Sequence, residues 1–224
     1  MNTEAFTGRA QAYAKARPGY PDEAMEYIRT LVPPNAVFAD IGAGTGKFTE
    51  LLSRYGNEIF AVEPNDDMRK QLVITLAPFP NTKILDGTAE ATKLTDKSVD
   101  VITCAQALNK FDIKSFRTEC ERISKSDPFI ITLFNYQQGE GYANYQKSTG
   151  ALYRNPIIRE FPNPVYFTRD KWVLFHSSMS GVPMKTDAGH EAYMAKFLEI
   201  FDRDNVDGIL RYDLITRVYS EKLA

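Results

Sequence analysis

The run Val37-Phe38-Ala39-Asp40-Ile41-Gly42-Ala43-Gly44-Thr45-Gly46-Lys47 constrains the fold more than any other stretch of the chain. An apolar segment ends in an acid, turns through three glycines spaced two apart, and continues into the helix-prone residues 47–55. A strand that feeds a glycine-rich turn and then a helix makes a ligand cradle. Backbone amides are bare there and the helix N-terminus is electropositive. Glycine also lets the backbone pass close to a ligand and adopt positive φ without a Cβ clash. Two common glycine loops fail on counting. The dinucleotide pattern G-x-G-x-x-G would need its last glycine at Lys47 or Thr49. The phosphate loop G-x-x-x-x-G-K-[ST] meets Ile41 at its first position and Phe48 at its last. There remain Asp40, the three glycines, and Glu63, which ends the next apolar run 21 residues past Gly42. An acid at that distance takes ribose hydroxyls in a βαβ unit. Asp40 at the loop entrance repels a pyrophosphate and suits an ammonium group. A nucleoside with a zwitterionic amino-acid tail fits both acids.

Several ordered motifs accompany the loop. Glu63-Pro64-Asn65-Asp66-Asp67-Met68 follows the second apolar run, Gly87-Thr88-Ala89-Glu90 the third, and Ala105-Gln106-Ala107 ends the fourth. With Asp40 to Gly46 they make the chain resemble a class I S-adenosylmethionine-dependent methyltransferase. Within that class it is similar to the small-molecule group that includes the ubiquinone/menaquinone-biosynthesis enzymes. The resemblance spans residues 6–135 and implies roles for them. Asp40, Gly42, Ala43, Gly44 and Gly46 form the cofactor loop, and Glu63 with Pro64 holds the ribose. Met68 packs on adenine beside Gly87, Thr88, Ala89 and Glu90. Ala105, Gln106 and Ala107 lie beneath the sulfonium. The segment from Tyr13 to Pro21 is similar to one that closes over the cofactor, with Tyr13 and Arg17 as lid contacts and Arg17 suited to the methionine carboxylate.

The rest of the pattern agrees with that fold class. Apolar runs at residues 37–40, 58–62, 83–85, 99–105 and 129–134 alternate with helical patterns at 47–55, 66–76 and 113–123. Such alternation predicts a doubly wound α/β sheet with ligands at the carboxyl ends of its strands. Residues 136–185 are rich in Tyr, Phe, Asn and Pro, with one helix expected over 142–153 and another opening at Thr168. A helix at 189–201 and two short adjoining strands, 208–212 and 214–219, complete the pattern. The expectation is a Rossmann-like seven-stranded sheet, mostly parallel, ending in an antiparallel pair. A single domain over 1–224 then divides into lid helices (1–34), a cofactor core (35–135), an aromatic acceptor cap between strands five and six (136–188), and a final helix and strand pair (189–224).

Bulk properties exclude several classes. The net charge of −2 and the absence of clustered basic residues argue against a nucleic-acid partner. No apolar run approaches the roughly 20 residues of a membrane span, and the N-terminus lacks a signal-peptide core. Cys104 and Cys120 have no C-x-x-C spacing and read as buried reduced thiols, so a cytoplasmic monomer or homodimer without metal is expected.

Transfer from a sulfonium is a direct displacement that mainly needs alignment and exclusion of water. A base is required only when the acceptor is protonated at neutral pH. Asn109 and His176 are the candidate catalytic contacts, and Asn135 and Tyr136 the candidate acceptor contacts at a strand end. The resembled group usually shows an Ala-Gln-Ala-aromatic-His-Trp-Phe run, where this chain has Leu108, Asn109 and Lys110. That departure keeps open an enzyme that consumes the same cofactor and releases methylthioadenosine, or a binding module without turnover. Transfer to a small molecule, with S-adenosylhomocysteine as product, is the leading expectation.

Overall fold

The computed structural model of the chain describes residues 3–137 and 143–223. A short 3-10 turn leads into α1 (Ala10–Ala16) and α2 (Asp22–Leu31). Then follow β1 (Phe38–Ile41), α3 (Lys47–Ser53), β2 (Ile59–Val62), α4 (Asp66–Leu76), β3 (Thr82–Leu85), β4 (Val99–Ala105) and α5 (Ile113–Ile123). The second part holds β5 (Ser124–Gln137), α6 (Ala143–Leu152), β6 (Ile157–Phe167), α7 (Arg169–Ser177), α8 (His190–Asp204) and β7 (Leu210–Lys222). The seven strands form one sheet in the order β3-β2-β1-β4-β5-β7-β6. β1 to β5 run parallel, while β7 is antiparallel to both β5 and β6.

Local chemistry starts the helices where polar caps stand. Asn65 accepts from the Met68 amide at 3.0 Å and opens α4, and Asp112 accepts from Ser115 at 2.9 Å and opens α5. Thr168 does the same for α7 through the Lys171 amide. The central strands read as unbroken apolar runs because both their faces are covered. On one face Ile41, Ile102, Cys104 and Ile130 pack with Phe116, Cys120 and Ile123 of α5. On the other, Phe38, Val101, Ile131 and Val218 meet Met25 and Ile28 of α2 and Phe48 and Leu52 of α3.

The last strands differ from the expectation. Residues 210–212 and 214–219 are not two strands; they belong to the single strand β7, with Asp213 in its interior, while Gly208 and Ile209 lie in the turn before it. Asp213 is exposed and pairs with Arg211 at 2.8 Å, so it is an outward position of a period-2 strand, not a turn. The sixth strand is β6, inside the segment read as the cap. Its outward positions are exposed and it carries Pro162 and Pro164, residues tolerated at a sheet edge, so no buried alternation announces it. β6 therefore divides the aromatic segment. α6 follows β5 and buries Tyr145 against the sheet core, as expected near 142–153, although Tyr142 lies outside the described residues. α7 and α8 follow β6 and pack with α1 around Phe167, Trp172, Phe175 and Phe201.

Candidate active site

The chain leaves β1 for the outer strands β2 and β3, then crosses back to β4 beside β1. Reversal of strand order opens a crevice at the carboxyl ends of β1 and β4, the standard ligand position in such sheets. The glycine loop sits there. Gly42, Gly44 and Gly46 all have positive φ, at +72°, +59° and +89°. A Cβ on Gly42 would lie 2.7 Å from the Ala107 Cβ, so this glycine is needed where the loop crosses the end of β4. A Cβ on Gly44 meets nothing nearer than 4.0 Å and faces open space.

The loop amides are less bare than the motif suggests. Gly42 and Ala43 both donate to the Val62 carbonyl, Gly46 donates to Ala43, and Gly44 donates to Glu63 Oε2 at 2.8 Å. The cradle thus offers close approach more than free donors. Glu63 also accepts from the Asn65 amide at 2.9 Å, which fixes its carboxylate while lone pairs remain for a ligand. Burial raises the Glu63 pKa, against these two amides and the Arg69 cation. Asp40 is buried, accepting from Thr49 at 2.6 Å and Thr103 at 2.9 Å. Burial outweighs those bonds and lifts its carboxyl to about 6.

Two connected cavities flank the loop. The smaller, about 70 Å³, is walled by Gly42, Gly44, Glu63, Pro64, Met68, Ala89 and the Ala105-Gln106-Ala107 corner, with Phe6, Tyr13 and Phe111 added. It is small and mostly apolar, with the Glu63 carboxylate, Asn65 and Lys110 also among its walls. The larger, about 360 Å³, lies beyond Gly44. Its walls include Tyr13, Arg17, Asp40, Ala43, Thr45 and Asn109. Phe134, Asn135 and Tyr136 come from β5, Tyr212 and Leu214 from β7, and Phe175 and Met179 from α7 and the turn after it. Gln106 lines both cavities with φ at +64°, unusual for a residue with a side chain.

Two polar atoms on the larger cavity are buried without a hydrogen-bond partner among the described residues, Thr45 Oγ1 and Arg17 Nε. Buried donors left this way cost stability unless something fills the site. Arg17 is held over the Tyr13 and Phe175 rings at 5.1 and 5.2 Å.

Some sequence candidates fall elsewhere. Gly87, Thr88 and Glu90 do not line either cavity. Gly87 packs against the Thr92 backbone, Thr88 bridges Ala91, and Glu90 accepts from the Asp112 amide at 3.0 Å. Of that turn, Ala89 reaches the slot. Asn135 lines the larger cavity, but its side chain is spent inside the protein. It donates to the Gly19 carbonyl at 2.9 Å and accepts from Thr216 at 2.6 Å. Tyr136 is likewise tied through its hydroxyl to Glu160 at 2.7 Å and Arg217 at 2.8 Å. His176 lines neither cavity. It stacks on Phe197 at 3.5 Å and is buried among aromatics, and burial with the Arg17 cation pushes its imidazole down to about 3. That packing leaves no role for it as a base on the acceptor.

Sequence reasoning missed Phe6, Lys47, Phe134, Phe175, Met179, Tyr212 and Leu214 as cavity walls. Lys47 closes the quoted glycine-loop run, Phe134 adjoins Asn135, and Phe6 opens the stretch that the resemblance spans. The others are ordinary apolar or surface letters that the sheet order and α7 carry to the crevice.

Comparison with known proteins fits this geometry. Residues 39–132 match the family model of the methyltransferase domain. An uncharacterised methyltransferase of Mycobacterium tuberculosis is 38% identical over 107 residues, which is 48% of this chain and 42% of that protein. A Schizosaccharomyces pombe methyltransferase-like protein is 34% identical over 138 residues, 60% of this chain and 53% of its own length. The matched stretch, residues 39–132, holds the glycine loop, Glu63 and the end of β4. The chain spans about half the length of the curated relatives it matches. Among solved structures, one from Anaeromyxobacter dehalogenans covers 92% of this chain and 97% of its own at a TM-score of 0.68 and 19% identity. A Geobacter sulfurreducens S-adenosylmethionine-dependent methyltransferase, solved with S-adenosylhomocysteine, covers 97% and 96% at 0.56 and 13% identity. At such identities the likeness shows the fold.

Proposed function

We propose that the chain binds S-adenosylmethionine and moves its methyl group to a small-molecule acceptor. The observation that carries this reading is the junction of a small apolar slot beside Glu63 with a roomier cavity, the two sharing Gly42 and Gly44 as walls. Adenine would lie on Met68 and Ala89, the ribose on Glu63, and the methionine tail toward Asp40, Thr45 and Arg17. When bound, the cofactor supplies an electrophilic methyl carbon beside Gln106. The chain's own residues orient it and keep water out. Phe6 and Tyr13 wall both cavities and would cover the cofactor as a lid. Gly87, Thr88 and Glu90 would support this arrangement by shaping the turn that presents Ala89. Asn109, at the rim, is the proposed acceptor contact, with Tyr136 and Phe134 as walls.

The remaining space supports a small acceptor. A cavity of about 360 Å³ that also houses the methionine tail has room for a metabolite, at the small end of ligand pockets. Residues 3–17 and α7 would close that space as the acceptor cap, and two buried free thiols suit a reducing cytoplasm. The test is mass spectrometry of S-adenosylmethionine incubated with the protein, alone and with a metabolite extract. S-adenosylhomocysteine appearing with the extract, alongside a metabolite heavier by one methyl, is the expected result. Methylthioadenosine formed without extract would replace the proposal with cofactor consumption.

A further inference from the structure

The charged side chains lining the larger cavity, among the described residues, are Arg17, Lys47, Lys110 and Asp40. The cations come from three separate places: the C-cap of α1, the first residue of α3 and the 3-10 turn after β4. None of the three forms an ion pair among the described residues. Lys110 donates to the neutral Ser180 hydroxyl at 3.1 Å, and Arg17 touches aromatic faces. Burial lowers the Lys47 pKa more than the nearby Glu50 carboxylate raises it, and a further anion would restore it. The one lining carboxyl, Asp40, is turned into the sheet with both oxygens already hydrogen-bonded. S-adenosylmethionine does not balance this charge, since its sulfonium and ammonium outnumber its single carboxylate. If Arg17 takes that carboxylate, Lys110 and the sulfonium still face the acceptor, and Lys47 adds a charge that Glu50 offsets in part.

A second, independent observation concerns proton removal. The described lining residues include no histidine, no cysteine and no carboxylate other than Asp40. Three of the lining phenols, Tyr13, Tyr20 and Tyr136, are held protonated because burial raises each of them. An acceptor that must lose a proton, such as an alcohol or an ammonium, finds no imidazole and no free carboxylate there to take it.

Resting on the methyltransferase reading, we infer that the acceptor is a carboxylic acid, methylated on its ionised carboxylate oxygen to give a methyl ester. The carboxylate oxygen forms the new bond to the methyl carbon as the carbon–sulfur bond breaks and its electron pair stays on sulfur. One negative and one positive charge cancel, and no proton moves. Lys110 and Lys47 attract and orient the anion, while Phe134, Tyr136 and Tyr212 pack its carbon skeleton.

The test uses S-adenosylmethionine labelled on its methyl group. It is offered with a metabolite extract and with a panel of carboxylates (hexanoate, benzoate, succinate, citrate) beside the corresponding amides. Methyl esters release methanol in mild alkali, whereas N-methyl, C-methyl and ether products do not. Label recovered as methanol in proportion to S-adenosylhomocysteine supports the inference. S-adenosylhomocysteine formed with alkali-stable label overturns it and leaves the methyltransferase reading standing. No S-adenosylhomocysteine under any condition overturns both. Lys110→Gln and Lys47→Gln should each raise the KM for the carboxylate about tenfold, with Lys110→Arg restoring most of it. In Lys47→Gln, whose side chain does not line the slot, calorimetric affinity for S-adenosylhomocysteine should stay within about twofold; in Lys110→Gln, which lines both cavities, the rise in acceptor KM should exceed any loss of that affinity. Unchanged acceptor KM in both variants would remove the cations from acceptor recognition and overturn the charge argument.

Discussion

Two glycines of one loop do different work. Gly44 has positive φ and open space where its Cβ would be, whereas Gly42 lies against Ala107. Gly44→Arg should therefore find room, at about 1–3 kcal/mol for its positive φ, and fill the cradle, abolishing S-adenosylhomocysteine binding in calorimetry; retained affinity would reject the site. Gly42→Ala should cost about 1–3 kcal/mol in chemical denaturation, through the close contact and strained φ. Asp40 carries a pH signature. Burial raises its carboxyl from 3.8 to about 6, so the folded state holds this proton more tightly than the unfolded chain. Its ionisation therefore subtracts stability as pH climbs between those values, about 3 kcal/mol once complete. In the ligand-free protein Asp40→Asn should remove that downward slope between pH 4 and 7, and an unaltered slope would show that another group sets it. Asp40 and Glu63 were legible in the sequence because a strand end followed by glycine leaves few places for a carboxylate to point. His176 was not legible, since one letter says nothing about whether α7 turns a ring toward the cavity or into the Trp172–Phe197 stack.

Among elements, the tie between the sheet and the N-terminal segment carries a prediction. Asn135 of β5 and Asn163 of β6 both donate to the Gly19 carbonyl, at 2.9 and 3.0 Å, and Thr216 of β7 bonds both. This node anchors the chain between α1 and α2, which presents Arg17 and Tyr20 to the cavity. Arg9 fastens the other end through the Ser177 and Val182 carbonyls. Asn135→Ala should cost about 1–3 kcal/mol, because it leaves buried partners unpaired. It should also raise the KM for S-adenosylmethionine about tenfold by populating states in which the segment has come away. A stability loss without the KM change would limit the node to a structural role. The helices α4 and α5 were readable to the residue, since Asn65 and Asp112 cap them and their apolar spacing is regular. β6 was not, because an edge strand hides half its residues from the core and tolerates the prolines that usually mark a turn.

For the whole molecule, binding at the crevice joins the N-terminal segment, the sheet and α7 through one ligand. S-adenosylhomocysteine at about 100 times its Kd should add about 2.7 kcal/mol and raise the melting midpoint by about 5–10 °C. No shift at millimolar ligand would mean that the crevice does not take it. The sequence by itself determined the parallel core and where Asp40 and Glu63 stand at its strand ends. Those features are local: a buried run, a glycine turn and a cap each depend on residues within a few positions. Only the tertiary structure decided the acceptor side. Its walls come from β5, β7, α7 and the N-terminal segment, distant stretches whose meeting depends on the strand order β4-β5-β7-β6. It also decided which polar groups stay available, because Asn135 and Tyr136 bond inward while Arg17, Lys47 and Lys110 form no ion pair among the described residues. A hydrogen bond between residues 81 positions apart, such as Thr216 to Asn135, leaves no periodic trace in either stretch of sequence.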